Sequence, residues 1–211
     1  MFIENVLEIT SLANMIDPEK IRLYLSLFKD LKLSDLMQLI SMAKTLHLAA
    51  GETYIKEGTL TSKLAYIKKG LIRGYTVKEN GEEATILIRW EDQFAASHDN
   101  IILRRPSRLT YQAVEDTTLL ELDYDAAQKI FDKNPRFAEA RNFFILNMLA
   151  DSLARVEAFI LLTPEERYKR LLKDKPAVVE RIPDKYIATM LGITPVSLSR
   201  IRKRIVKGKK H

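Results

Sequence analysis

The spacing of apolar and polar positions changes character three times along the chain. Asp17-Pro18-Glu19-Lys20 supplies a capping carboxylate, a proline at the first helical position and an acidic first turn. Ile21, Leu25 and Phe28 follow at helical spacing, and a second short helix is expected to begin at Ser34 or Asp35 and carry Leu36, Leu39 and Ile40. From about Lys44 the period shortens. Thr45-Leu46-His47-Leu48 alternates, and residues 54–58, 64–70, 71–78, 84–90, 109–114 and 118–123 read as short strands punctuated by turns. Glu79-Asn80-Gly81-Glu82 predicts a hairpin, because Asn and Gly both tolerate positive φ. Short strands with frequent turn signals predict a small antiparallel barrel or roll.

From Pro135 the period is helical again. Residues 135–162 contain no glycine and no further proline, which at 1.5 Å per residue predicts a helix of about 42 Å. Ile145, Leu149, Leu153, Val156 and Ile160 form one stripe, and Phe137, Ala140, Phe144 and Met148 an adjoining one. Two apolar faces need two partners: the β-domain for one, the same helix of a second subunit for the other. The expected seam therefore includes Phe144, Ile145, Met148, Leu149 and Val156. Thr163-Pro164-Glu165-Glu166 is a capping box with proline at the first helical position, so a new helix starts there. This divides the chain into residues 1–134, 135–162 and 163–211.

Charge sharpens that boundary. The chain has 34 Lys+Arg against 28 Asp+Glu, net +6. Residues 164–211 hold 14 basic and 5 acidic side chains, net +9, whereas the rest is net −3. A basic terminal module on a slightly acidic body points to a polyanion, nucleic acid first. Cysteine is absent, which removes disulfides, Cys-ligated zinc, iron–sulfur clusters and a Cys nucleophile. His47, His98 and His211 are scattered, so no metal site is expected. No apolar run suits a membrane span, and residues 1–10 lack the basic start of a signal peptide, so a cytoplasmic setting without membrane contact is expected. No Ser/His/Asp set, carboxylate pair or phosphate-binding glycine loop stands out, and the chain reads as a non-enzyme.

The most informative segment is residues 182–205. Pro183-Asp184 opens a short helix with Ile187, Ala188 and Leu191 inward, Gly192 ends it, and Thr194-Pro195 opens another. Val196 or Leu198, then Ile201 and Ile205, are apolar, while Ser197, Arg200, Lys203 and Arg204 can face outward. A helix, a glycine turn and a basic second helix predict a helix-turn-helix whose second helix enters the major groove.

With these parts in this order, the chain resembles the Crp/Fnr family of bacterial transcription regulators, over about residues 33–205. Pro106-Ser107-Arg108, Gln112-Ala113-Val114-Glu115-Asp116 and the stretch 163–171 resemble the branch common in Bacteroidetes. The resemblance implies an α+β fold: a cyclic-nucleotide-binding-like antiparallel β-roll, a long dimerisation helix and a C-terminal winged helix-turn-helix. It implies a homodimer on palindromic double-stranded DNA, with RNA polymerase as a further partner. Thr194, Val196, Ser197 and Arg200, with Pro195, fall on the family's reading face, and Arg200 matches an arginine many members place on guanine. Arg202 and Lys203 are expected, like Ser197, as phosphate or secondary contacts. Val196 stands where many members carry a glutamate for cytosine, so the usual half-site is not expected.

The family's phosphate cassette pairs Gly-Glu for the ribose with Arg-Ser or Arg-Thr for the cyclic phosphate. Here Ala96-Ser97 and Ser107-Arg108 stand at those positions, leaving Ser97, Ser107 and Arg108 as the ligand candidates and no carboxylate for the ribose. Cyclic AMP is therefore not expected, no cofactor is assigned, and any other small effector is left open. The competing reading is a cyclic-nucleotide module that acts through protein contacts.

Overall fold

The computed structural model describes residues 32–208; the helix expected from Asp17 lies outside them, as does His211. The alternating region forms eight strands: β1 Lys44–Leu48, β2 Thr53–Ile55, β3 Lys63–Lys69, β4 Ile72–Val77, β5 Glu83–Arg89, β6 Phe94–Ala96, β7 Thr110–Ala113 and β8 Thr117–Asp123. They pair antiparallel in two four-stranded sheets, ordered β1-β8-β3-β6 and β2-β7-β4-β5. Alternate residues point inward, so Leu48, Ala65, Ile67, Ala95 and Leu119 of one sheet meet Tyr54, Ile55, Ile72, Leu87, Tyr111 and Ala113 of the other. Burying a side chain such as Ile67 or Leu119 contributes about 1.5–3 kcal/mol.

The β4–β5 hairpin forms where Asn80-Gly81 predicts it. The Gly81 N–H donates to the Lys78 carbonyl at 2.9 Å and the Glu82 N–H to Asn80 Oδ1 at 3.1 Å. Gly81 takes positive φ and Asn80 does not, so the turn uses the freedom of one residue of the pair. A tighter constraint sits at the β3–β4 corner. Gly70 has φ +103°, and a Cβ there would lie 2.4 Å from Thr117 Oγ1. That hydroxyl accepts the Leu71 N–H at 3.2 Å, so it cannot simply turn away.

Helices surround the roll. α1 (Leu33–Ser41) precedes it, α2 (His98–Ile101) follows β6, and α3 (Tyr124–Lys133) leaves β8 directly. Asp123 caps α3 by accepting the Ala126 N–H at 2.8 Å. β6, α2 and α3 are additions to the elements expected from the sequence, where Asp123 reads only as the end of a strand. α4 is the long helix, Arg136–Leu161, about 39 Å in length. Four helices complete the chain: α5 (Pro164–Asp174), α6 (Pro176–Arg181), α7 (Asp184–Met190) and α8 (Pro195–Gly208). Among the described residues no strand follows β8, so the wing implied by the resemblance does not appear.

One stripe of α4 is open. Leu149, Leu153, Val156 and Ile160 are 54%, 54%, 55% and 75% exposed, and Ile145 lies exposed on the same face. Met148 is half-buried, and the Phe144 side chain lies outside the described residues. On the other face Phe137 is buried beside Phe131, with ring centroids 5.2 Å apart. Farther along, polar groups also reach the roll: Asp151 takes Arg89 of β5 at 3.0 Å, and Ser152 and Arg155 are half-buried close by along the helix.

Gly70→Ala should cost roughly 2–4 kcal/mol in denaturant unfolding, since it adds both a positive-φ penalty and a clash. Gly58→Ala, also at positive φ but with nothing within 4 Å, should cost roughly 1 kcal/mol.

Candidate DNA-reading helix, its mounting and the ligand cassette

The two-helix unit is built by its caps. Ile187 and Ala188 are fully buried, and the small alanine admits α8 at close range. Gly192 has φ +73° and closes α7 with paired bonds: its N–H donates to Thr189 O at 3.0 Å, and the Ile193 N–H donates to Ala188 O at 3.0 Å. Thr194 Oγ1 then accepts the Ser197 N–H at 3.2 Å and lies 3.1 Å from Ser197 Oγ, starting α8. Leu198 and Ile201 face inward, so Val196, Arg200 and Lys203 are exposed.

The cations of α8 divide into two groups. Arg202 Nε donates to the Tyr168 hydroxyl at 2.8 Å and Nη1 to Asp184 at 2.7 Å. Arg202, expected with Arg200 and Lys203 among the DNA contacts, has its guanidinium braced on α5 and α7. Arg204 pairs with Glu165 at 2.7 Å. Arg200 and Lys203 make no ion pair with any described residue. Nothing in the sequence alone separates Arg202 from these two, because Tyr168 and Asp184 reach it only through the fold.

The unit is mounted on the β-roll through a shared core. Leu71 and Ile88 of the roll are buried with Tyr168, Val178, Val179, Ile182, Ile187, Ala188, Leu191, Leu198 and Ile201. Trp90 packs on its edge, so that residue lies at the junction of the two units. Two arginines secure the joint, and a third ties the unit to the long helix. Arg73 of β4 is 2% exposed; its guanidinium lies 3.9 Å from the Tyr75 ring centre and 3.8 Å from that of Tyr186 on α7. Its N–H groups donate to Gln112 at 2.6 and 3.0 Å and to Glu83 at 2.7 Å. Arg181, at the end of α6, bonds Glu91 at 2.6 and 3.0 Å and also Glu115. Arg167 donates to the Leu162 carbonyl at 2.6 Å and the Leu191 carbonyl at 2.8 Å, joining the end of α4 to the end of α7. The Thr163 capping box forms as expected: Thr163 N–H to Glu166 is 2.8 Å, and Glu166 N–H to Thr163 Oγ1 is 3.3 Å.

The cassette between β6 and β7 is closed on itself. Ser97 Oγ donates to Ser107 Oγ at 2.9 Å, and Ser107 Oγ to the Leu109 carbonyl at 2.7 Å; both serines are buried. Arg108 is 73% exposed, with Nε 3.1 Å from both oxygens of Asp99, which also accepts its backbone N–H at 3.1 Å. Arg105 joins the same carboxylate at 2.8 Å. Burial raises the Asp99 carboxyl, but these bonds outweigh it and hold the group below its usual range. The structure thus brings Ser97 and Ser107 together and turns Arg108 to a neighbouring acid.

Residues 45–134, which hold the β-roll, match the cyclic nucleotide-binding domain. The wider architecture is similar to FixK2 from Bradyrhizobium japonicum (16% identity over 79% of this chain and 86% of that one, TM-score 0.69). It is also similar to the c-di-GMP-responsive global regulator CLP of Xanthomonas campestris (14% identity, 84% and 93%, TM-score 0.67). A protein from Eubacterium rectale ATCC 33656, described as a transcriptional regulator of the Crp/Fnr family, is 19% identical over 86% of this chain and 87% of that one, with TM-score 0.67. At these identities the likeness is one of fold. No curated protein matches the sequence at a significant level.

The Arg181 clamp makes the joint sensitive to acid. Burial raises the Glu91 carboxyl, but bonds from Arg181 and the Gly70 N–H bring it below the usual glutamate range. Its contribution is fully present above the unfolded carboxylate range and is lost as pH falls through the lower folded value. Arg181→Gln should lower the melting temperature at pH 7, and the gap from wild type should narrow as pH drops below about 4.5. A gap that stays constant down to pH 3 would mean that the pair does not titrate as a unit.

Proposed function

We propose that the chain is a homodimeric, sequence-specific DNA-binding transcription regulator of the Crp/Fnr type, acting in the cytoplasm. Residues 1–134 are its scaffold or sensor, 135–162 its dimerisation helix and 163–211 its reader. The observation that carries this reading is the outer face of α8. Val196, Arg200 and Lys203 stand exposed on a helix anchored by Leu198 and Ile201, and the two cations have no anionic partner among the described residues. Such a face is suited to a major groove: Arg200 for guanine O6 and N7, Val196 for a thymine methyl, and Thr194, Ser197 and Lys203 for phosphates and secondary contacts. Arg202 acts by holding the helix.

The open stripe of α4 supports pairing with a second copy. Two copies would carry two readers related by a two-fold axis, and the site would be palindromic. Cyclic AMP does not fit this reading: Ala96-Ser97 stands where the family pairs Gly-Glu for the ribose, and Arg108 is held by Asp99. The match of residues 45–134 to the cyclic nucleotide-binding domain favours one rival, a cyclic-nucleotide module acting through protein contacts.

Selection from random DNA, run with and without cyclic AMP, should recover one palindromic site whose strength is unaffected by the nucleotide. Recovery of no preferred sequence, with binding abolished by salt alone, would sink the regulator reading; calorimetric binding of cyclic AMP with no DNA preference would favour the rival. On the selected site Arg200→Ala should weaken binding by roughly 1–3 kcal/mol and relax one position. Leu149→Glu combined with Val156→Glu should convert dimer to monomer in sedimentation, with the folded circular-dichroism signal kept.

A further inference from the structure

The α7–α8 unit is joined to the rest of its chain in two ways. One is the chain itself: α4 ends at Leu161 and α5 begins at Pro164, with Arg167 donating back to the Leu162 carbonyl at 2.6 Å. A body attached there alone would pivot. The other attachment is the outer face of the roll, and it falls on α7, the first helix of the pair.

The strand pattern builds this second attachment. Residues 71, 73 and 75 alternate with the inward-facing Ile72 and so share the outer face of the sheet. The register of β4 against β5 slips at Gly74/Tyr75, which sets Thr85 rather than Ile86 opposite Tyr75. Thr85 is buried and Ile86 exposed, and the Thr85 N–H donates to Thr189 Oγ1 of α7 at 3.3 Å. The Arg73 guanidinium lies against the Tyr186 ring of the same helix, 3.8 Å from its centre. From the roll side that guanidinium is held by Gln112 of β7 and Glu83 of β5. Gln112 is braced in turn, its Nε2 donating to the Gly51 carbonyl at 2.7 Å. Arg181 also crosses the joint, but it is 33% exposed and open to screening by salt. Arg73, at 2% exposed, is not.

We propose that Arg73 is a positioning residue for DNA reading: from the roll it fixes the angle of α7, and through α7 that of α8, so that the two readers of a dimer stand at one separation. This deepens the regulator reading and rests on it for the DNA. The seated unit is ready to read, since Val196, Arg200 and Lys203 stay exposed while α7 rests on the roll. Two readers at a fixed separation engage both half-sites with little further loss of freedom; readers free to swing must give up that freedom on binding.

The test compares Arg73→Lys, Tyr186→Leu and Tyr186→Phe in the full-length protein. The DNA probes are the palindrome selected by the wild type, one half-site of it, and versions with a base pair added or removed at the centre. Arg73→Lys keeps the charge and loses the planar fork; Tyr186→Leu leaves the roll untouched and carries the comparison if the buried Arg73 variant does not fold. Both should bind the palindrome about tenfold more weakly and the half-site within about threefold of wild type, and should stop discriminating among the three spacings. Tyr186→Phe should behave as wild type, because the ring makes the contact. Trp90, the one tryptophan of the chain, packs on the edge of the joint and reports on it without DNA. Its emission should shift to the red in Arg73→Lys and Tyr186→Leu, with the far-ultraviolet circular dichroism kept, and stay put in Tyr186→Phe. Unchanged emission in the first two, or a spacing preference as sharp as that of wild type, would overturn the proposal. Equal loss on half-site and palindrome would also overturn it, by placing the damage within the reader. If the wild type selects no site while the emission shifts as expected, the regulator reading falls and Arg73 remains the residue that fixes the angle of the unit.

Discussion

The burial of Ile187 and Ala188 beneath Leu71 and Ile88 is the contact on which the position of α8 depends. α7 has only two turns, too short to hold itself. It persists because its inner face completes a core that the roll begins. From that point geometry propagates: the glycine cap at 192 fixes the turn, Thr194 fixes the first turn of α8, and Leu198 and Ile201 return to the same core. A buried arginine needs hydrogen-bond partners, and Arg73 has three bonds, two to Gln112 and one to Glu83, with the rings of Tyr75 and Tyr186 close to its guanidinium.

The charged residues serve three separate purposes, which net charge conceals. Arg167, Arg181 and Arg202 are structural, each held by carbonyls, carboxylates or a phenol. Arg200 and Lys203 are left on the outer face of α8. Arg89 ties β5 to the long helix through Asp151. The acids of the roll partly explain the sign of the body: Glu91 and Glu115 meet Arg181 rather than facing solvent freely.

Much of this was legible in the sequence because it rests on local rules. Asn80-Gly81, Gly192, the Thr163 capping box and the uninterrupted helix after Pro135 each encode backbone conformation within a few residues. What stayed hidden depends on contacts far apart in sequence. Arg73 reads as a strand arginine until Tyr186, 113 positions later, covers it. Arg202 reads from the sequence as a DNA contact, and its bonds to Tyr168 and Asp184 are visible only in the fold. The polar middle of α4 was masked by the apolar stripes on either side of Arg155. β6 and α3 were missed for another reason: three residues give too short an alternation, and Asp123 serves both as the end of a strand and as a helix cap.

The core shared by roll and reader bears on how such chains can recombine. A reader transplanted onto a different roll would leave Ile187 and Ala188 facing side chains not shaped for them, and would strand Tyr186 and Arg181 without the groups they clasp. A crossover at Thr163, where the helices and the charge both change, would cut through the joint rather than between modules. Substitutions on the outer face of α8 are the ones such a joint tolerates, because that surface is the one the core leaves free.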